Sequence, residues 1–325
     1  MFEKDKILMT SIGKRVQLIK HLKKTFRIVG VDAGDINAGR YFVDKFYKIP
    51  KANESEYVKA LLDICKKEKV KGLIPLYEGE FEVLNRAREK FERQGTFLIL
   101  SGEKVINICK NKKLTYDYFL KSKINQPKSY FETEINEIIE KKDFTEFPLF
   151  IKPVDGMGSI NTFRINGINE LEFFRDYIEN NIIQECIEGE EYTVDCLVGI
   201  NGNPIYIVPR KRLEVRSGEV IKSRTVHDDA IINNTIQVIK HLNEAKDKKG
   251  LGAIGPLTIQ FFKDKNSNIY LLEINPRFGG GVPLSFESGA DYGMAINMIL
   301  NNEEVHYLDE FEEKTMLRYD EAVFF

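Results

Sequence analysis

Cysteine and histidine are scarce in this chain, and neither is arranged for cross-linking or for holding a metal. The 325 residues contain four Cys and four His. Cys65, Cys109, Cys186 and Cys196 show no metal-ligand spacing and no disulfide density, which fits thiols kept reduced in a cytoplasmic setting. Cys186 and Cys196 sit in strand-like runs and are expected to be buried. Long apolar runs are missing as well. No stretch approaches the roughly 20 residues a membrane-spanning helix needs. The start, Met1 to Lys6, is charged and leads into only a short apolar run, unlike a signal peptide. An excess of one charge is also lacking. The 48 Lys and Arg face 50 Asp and Glu, a net charge of −2, so general nucleic-acid binding has no electrostatic footprint. There is no internal repeat and no low-complexity tract. What is present is 42% hydrophobic content, in a chain long enough for two or three compact units.

The most informative segment is Ile269-Tyr270-Leu271-Leu272-Glu273-Ile274-Asn275-Pro276-Arg277. Its apolar run reads as a buried strand. Alternate strand residues share a face, so Glu273, Asn275 and Arg277 are expected to point one way. Oxygen donors such as Glu and Asn suit Mg²⁺, which usually also takes substrate phosphates. Arg suits an anionic group in transfer. A solvated outer strand face is the plain alternative, and the apolar strand core argues against it.

A second segment, Phe147 to Pro153, is a strand ending in Lys152. The loop Val154-Asp155-Gly156-Met157-Gly158-Ser159 follows. Glycines let backbone N–H groups approach a phosphate closely. The loop is not a Walker A loop, because no Gly-Lys-Ser/Thr follows. A plain hairpin turn is the alternative, and Lys152 favours the nucleotide reading. In a third segment, Ile182 to Asp195, two strand-like runs join through Glu188-Gly189. Its backbone can bond a purine edge and its acidic residues can bind ribose hydroxyls. A polar turn would also explain any one of those glutamates.

Taken in order, these segments resemble the ATP-grasp superfamily, in particular the carbamoyl-phosphate-synthase-like carboxylate–amine ligases. The specific signs are Ile-Lys-Pro-x-x-Gly-x-Gly-Ser, Gln-Glu-x-Ile-x-Gly-x-Glu-Tyr-Thr-Val-Asp and Glu-Ile-Asn-Pro-Arg. The resemblance covers nearly the whole chain and implies one grasp unit. It implies that Lys112 and Lys152 contact ATP phosphates, with Gly156, Gly158 and Ser159 closing over them. It implies that Glu185 and the Ile187 backbone hold adenine, and that Glu191 holds ribose. Gln260, Glu273 and Asn275 would ligate Mg²⁺, with Mn²⁺ as a substitute. Gln260 departs from the acidic residue of some relatives, which weakens one metal position.

The first hundred residues alternate strand and helix: strands at 7–10, 27–32, 73–76 and 97–100, helices at 14–24, 54–69 and 80–94. Such alternation predicts a parallel sheet covered by helices. Asp32 stands near the spacing of a dinucleotide-site acid, but Ser11-Ile12-Gly13 has one glycine where that fingerprint wants three. Glu78 and Glu80 read best as helix-start carboxylates favoured by the helix dipole. Further on, helices are expected at 107–123, 169–179 and 229–245, and strands near 193–198, 204–209, 257–262 and 270–274. The resemblance, with this alternation, implies a fold class of α/β and α+β: an ATP-grasp fold preceded by a Rossmann-like parallel-sheet domain. The first domain is expected at 1–105 and the grasp domain at 106–325. Within the latter, a small subdomain spans about 115–183 and a large one about 184–325.

The cluster from Arg210 to Arg224 is dense in cations. It reads either as an edge hairpin blunted by Lys and Arg, or as a pocket for a carboxylate substrate and the γ-phosphate. The second reading assigns Arg212 and Arg277 to the chemistry, with Lys152 and Lys112 adding positive charge.

The function expected is ATP-dependent ligation of a carboxylate to an amine through an acyl phosphate. The expected partners are small-molecule carboxylate and amine substrates, with no nucleic acid and no membrane, and a homodimer is allowed for. Two alternatives stand beside it: a kinase or carbonate-activating enzyme that forms no amide, and a nucleotide-binding regulatory protein without turnover.

Overall fold

The computed structural model describes residues 4–142, 144–156, 160–216 and 218–325. Strands β1 (Lys6–Met9), β2 (Arg27–Asp32), β3 (Lys45–Lys48), β4 (Gly72–Ile74) and β5 (Phe97–Leu98) form one sheet. Its order is β3-β2-β1-β4-β5, and every pairing is parallel. Helices α1 (Val16–Leu22), α2 (Tyr57–Glu68), α3 (Phe81–Arg86) and α4 (Arg88–Arg93) connect its strands. The inner strands β1, β2 and β4 are mostly buried and apolar, as parallel strands covered on both faces must be, while the edge strand β3 is partly exposed. The helix expected at 80–94 is broken at Ala87. There Arg88 turns inward and donates to the carbonyls of Leu98, Leu100 and Ser101.

The helix expected at 107–123 is also two: α5 (Glu103–Cys109) and α6 (Lys112–Phe119). Asn111 makes the break, since its side chain accepts from the Leu114 amide at 2.8 Å and caps α6. This cap aims Lys112 at the start of a helix instead of leaving it mid-helix. Strand β6 (Ser129–Tyr130) and helix α7 (Glu132–Lys141) follow. With β7 (Leu149–Pro153), β8 (Phe163–Ile165) and β9 (Asn181–Glu185), β6 makes a small antiparallel sheet of order β6-β9-β7-β8. Helix α8 (Ile168–Tyr177) packs beside it.

The third sheet holds β10 (Gly189–Val198), β11 (Pro204–Arg216), β12 (Glu219–Thr225), β13 (Gly255–Asp264), β14 (Ile269–Asn275) and β15 (Thr315–Leu317). Its order is β14-β13-β10-β11-β12-β15. Helix α9 (Asp229–Glu244) lies on one face, with Ile231, Val238, Ile239 and Leu242 in the core beneath. The last helices are α10 (Pro283–Glu287) and α11 (Tyr292–Leu300). They cross back to the first sheet: Ala295, Ile296 and Ile299 share a core with Ile7, Met9 and Leu18. Among the described residues no helix is long and apolar enough to cross a membrane.

Candidate nucleotide and anion site

The two antiparallel sheets face each other across a cleft of about 380 Å³. Strand β7 carries Lys152 into it, and α6 contributes Lys112 from its first turn. The end of β9 brings Glu185 and, just beyond it, Ile187. Strands β10, β13 and β14 add Glu191, Gln260 and Glu273. Gly156 closes one side. Phe150, Phe262 and Leu272 supply apolar walls, with Cys186 at the edge. Cys186 is therefore only partly buried, because β9 ends before it; Cys196 inside β10 is buried as expected. Gly158 and Ser159 lie outside the described residues.

A kink in β14 sets the direction of Glu273. Gln260 pairs with Glu273, yet the next residue, Phe261, pairs with Leu271. Leu272 is thus the extra residue of a bulge, which re-aims the strand. Leu272 and Glu273 both reach the cleft as a result. Asn275 follows, 4% exposed. Its carboxamide makes no hydrogen bond among the described residues.

The cations of the cleft are unequally neutralised. Lys112 donates to the Gly156 carbonyl at 2.7 Å and stands 4.0 Å from Glu273. The Lys152 ammonium has no ion pair or hydrogen bond among the described residues. Burial and the neighbouring Lys112 hold its ammonium down to about 8, despite the opposing pull of Glu273 and Glu191. Burial pushes the Glu191 carboxyl up, and Arg212, 3.3 Å away, opposes that. Glu185 accepts from the Lys128 amide at 2.8 Å. Its own amide donates to the Lys128 carbonyl at 2.9 Å. The Ile187 N–H, by contrast, has no backbone partner among the described residues.

A second cleft of about 460 Å³ continues from the first, with Ile160 and Gln260 lining both. Asn275, Arg277 and Arg212 line it. Arg277 pairs through Nε with Glu78 at 2.9 Å. Arg212 donates to the Gln260 amide oxygen at 3.5 Å and to the Gly218 carbonyl at 3.2 Å. Burial lowers the Arg212 pKa.

The basic cluster therefore divides. Arg210 is 1% exposed and chelates Asp195, at 2.6 Å and 3.1 Å, while Ser285 donates to the same carboxylate at 2.6 Å. It holds the fold together. Arg212 alone of the two reaches the junction of the clefts. Register shifts between Arg212 and Val215 end the simple alternation expected of this strand. The hairpin is not a bare edge either, since β15 covers β12.

Among the described residues no group of three or more His, Cys, Asp and Glu is placed to hold a metal. Gln260, Glu273 and Asn275 offer one carboxylate and two amides. That oxygen set fits a hard cation that completes its shell with phosphate oxygens and water, as Mg²⁺ does at nucleotide sites. Gln260 is partly engaged, since it also donates to Glu273 at 3.4 Å.

Comparison with known proteins identifies the family of the fold that carries these clefts. The ATP-grasp domain family matches residues 109–281, and the family of PylC-like N-terminal domains matches residues 7–99.

This chain belongs to the ATP-grasp family.

It is 25% identical over 264 residues to the tyramine–L-glutamate ligase of Methanocaldococcus fervens, covering 79% of this chain and 75% of that one. It is 23% identical over 241 residues to the carbamoyl phosphate synthase large chain of Thermoanaerobacter sp. (strain X514), covering 69% of this chain. The match spans only 21% of that much longer protein. Among solved structures, N5-carboxyaminoimidazole synthetase from Staphylococcus aureus superimposes with a TM-score of 0.74 at 15% identity, covering 98% of this chain and 83% of that one. The biotin carboxylase domain of Hydrogenobacter thermophilus 2-oxoglutarate carboxylase, solved with MgADP and bicarbonate, gives 0.72 at 16% identity, covering 95% and 73%. Both share the fold, a parallel sheet followed by the two antiparallel sheets of the grasp.

The structure gives several residues of this ATP-grasp chain roles that the sequence reading did not assign. Glu78 is no helix-start ornament: it crosses from the first sheet to hold Arg277, and burial pushes its carboxyl up. Glu80 is buried and accepts from the hydroxyls of Thr10 and Ser11. Asp32 accepts from the Gly13 amide at 3.0 Å and so fixes the first turn instead of binding ribose. Arg15, placed just after that turn at the carboxyl end of β1, lines the second cleft. That location was a usable signal, because α/β sheets bind ligands there. Gly279-Gly280-Gly281 follows β14 and is plain in the sequence. A Cβ on Gly281 would lie 2.4 Å from Arg210 Nη1, so glycine is required there by contact.

Proposed function

We propose that this chain is an ATP-dependent carboxylate–amine ligase working through an acyl phosphate. The observation that carries the reading is the pair of joined clefts: one with apolar walls and an unneutralised Lys152, the other rich in guanidinium groups. ATP fits the first. The purine lies between Phe150, Phe262 and Leu272, with the Ile187 N–H and the neighbouring Glu185 backbone toward its edge. Glu191 takes ribose hydroxyls. Lys112 and Lys152 take the phosphates, with Gly156 beside them. Glu273, Asn275 and Gln260 are the residues to hold Mg²⁺, which when bound supplies charge neutralisation for the phosphates.

The carboxylate fits the second cleft, beside Arg277 and Arg212. One of its oxygens attacks the γ-phosphorus and ADP leaves. The amine nitrogen then attacks the acyl carbon, the C–O bond breaks and inorganic phosphate leaves with that oxygen. The amine proton passes to solvent or to the departing phosphate. No protein nucleophile is needed. Lys152, Arg277 and Arg212 position the groups and stabilise charge, the dominant means of catalysis in phosphoryl transfer. A cleft of about 460 Å³ is large for bicarbonate and suits a larger acid.

The test is ADP release across a panel of amino acids, dicarboxylates and sugar acids, each with and without amine acceptors. Release that requires both a carboxylate and an amine, with an amide product by mass, supports ligation. Release with a carboxylate alone and a stable phosphorylated product would replace it with a kinase reading. No release with any pair would favour a nucleotide-binding protein without turnover.

A further inference from the structure

The second cleft has more positive charge than its own carboxylates neutralise, and the surplus lies at one end. Arg210 is satisfied by Asp195, Arg212 by Glu191 and Arg277 by Glu78. At the far end, Lys14 and Arg318 share a single acid, Glu219, at 2.5 Å and 3.3 Å. Arg15 faces the same space and has no ion pair or side-chain hydrogen bond among the described residues. Three cations therefore meet one carboxylate, leaving two positive charges over. Glu219 opposes only part of the charge burden on Arg15: burial and the nearby Arg277 bring the Arg15 guanidinium down to about 10 against the pull of that one acid. Its Nη1 faces Gly280, 3.8 Å from where a Cβ would sit.

These three cations come from separate parts of the chain. Lys14 and Arg15 precede α1, and Arg318 follows β15, where its amide donates to the Ile221 carbonyl at 2.9 Å. Desolvating an unpaired guanidinium is costly, and the cost is recovered when an anion arrives. Planar forks of this kind recognise carboxylate and phosphate oxygens. The pocket is about 460 Å³ in all, room for more than the reacting carboxylate.

We propose that the acid bound here carries a second anionic group, a carboxylate or a phosphate, held by Arg15 and Arg318 while its reacting carboxylate lies at Arg277. The proposal rests on the ligase reading for the identity of the reacting end. Arg15 and Arg318 are then specificity-determining residues. They select dianionic acids over monoanionic ones of similar size.

Direct binding tests this without turnover. The intact protein is saturated with a non-hydrolysable ATP analogue and Mg²⁺. Acetate, dicarboxylates from succinate to adipate, and phosphoglycolate are then titrated by calorimetry. The expected result is that the best dianion binds at least about tenfold tighter than acetate, with the dicarboxylate-to-phosphoglycolate ratio identifying the second group. Arg15→Gln and Arg318→Gln should each weaken that dianion by about 10- to 100-fold, the loss of one charge-assisted contact, with the affinity for the ATP analogue kept. Arg15→Lys should restore part of the preference, and retained analogue binding shows that each variant is folded. Equal affinities for acetate and every dianion, or an unchanged preference in both Gln variants, would overturn the proposal. Dianion selectivity without ADP release under any amine would leave the anion site standing and remove the ligase reading instead.

Discussion

Lys152 is the residue on which the proposed nucleotide site turns. Its amine is desolvated beside Lys112 on α6, while Glu273 on β14 and Glu191 on β10 pull the other way, and it stands near 8. Below that pH the ammonium is present to meet phosphate; above it the charge is lost. The kcat/KM for ATP should therefore fall as pH rises through about 8, and Lys152→Arg should move the fall upward. A flat profile to pH 9.5 would remove Lys152 from the phosphate contacts. The same depression costs the empty fold stability at neutral pH. That cost is full below about 8 and is relieved as pH rises toward the ordinary lysine range. Glu273→Ala should abolish turnover while leaving the unfolding transition intact, since Glu273 is only partly buried and lies at the cleft. Wild-type activity with Mg²⁺ in that variant would refute the metal assignment. Both residues were legible in the sequence because a charge interrupting an apolar strand is conspicuous. Arg15 was not singled out: its place after the first turn hinted at a ligand, but its partial burial without an ion pair is set by packing distant in sequence.

At the scale of elements, the glycine loop 279–281 joins β14 to α10 and presses on the buried Arg210–Asp195 pair. Gly281→Ala would push into Arg210 Nη1 and should destabilise the fold by about 1–3 kcal/mol, read as a lower denaturation midpoint at constant slope. Asp195→Ala leaves Arg210 buried and unpaired and should cost more, about 3–5 kcal/mol. An Asp195→Ala protein as stable as the parent would show that the pair is not a fastener. The apolar periodicity that places α2, α9, β10 and β14 could be read directly from the chain. The breaks at Ala87 and Asn111, and the bulge at Leu272, could not. Each depends on a contact with residues distant in sequence or on a cap that competes with continuing the helix. The direction of Glu273 depends on that bulge, which the plain alternation of a strand does not predict.

Across the whole molecule, the site is a meeting of parts that the sequence separates. Glu78, from the parallel sheet, holds Arg277, which follows the far strand of the grasp; Arg318, near the end of the chain, enters the same cleft. Glu78→Gln should lower kcat by about 10- to 100-fold through misplaced Arg277, with ATP affinity kept. An equal loss of ATP affinity would put Glu78 in the nucleotide site. The fold class and the order of the motifs were readable because local patterns and one family resemblance agreed. The return of α11 to the first sheet's core, and the pairing of β15 with β12, rest on long-range packing that no local pattern encodes. The central claim is that a carboxylate oxygen attacks the γ-phosphate and departs with it. The most direct measurement uses the acid found active in the ADP-release panel, labelled with ¹⁸O in its carboxylate, with its amine partner. One labelled oxygen should appear in the released inorganic phosphate for each amide formed, and phosphate free of label would contradict the account.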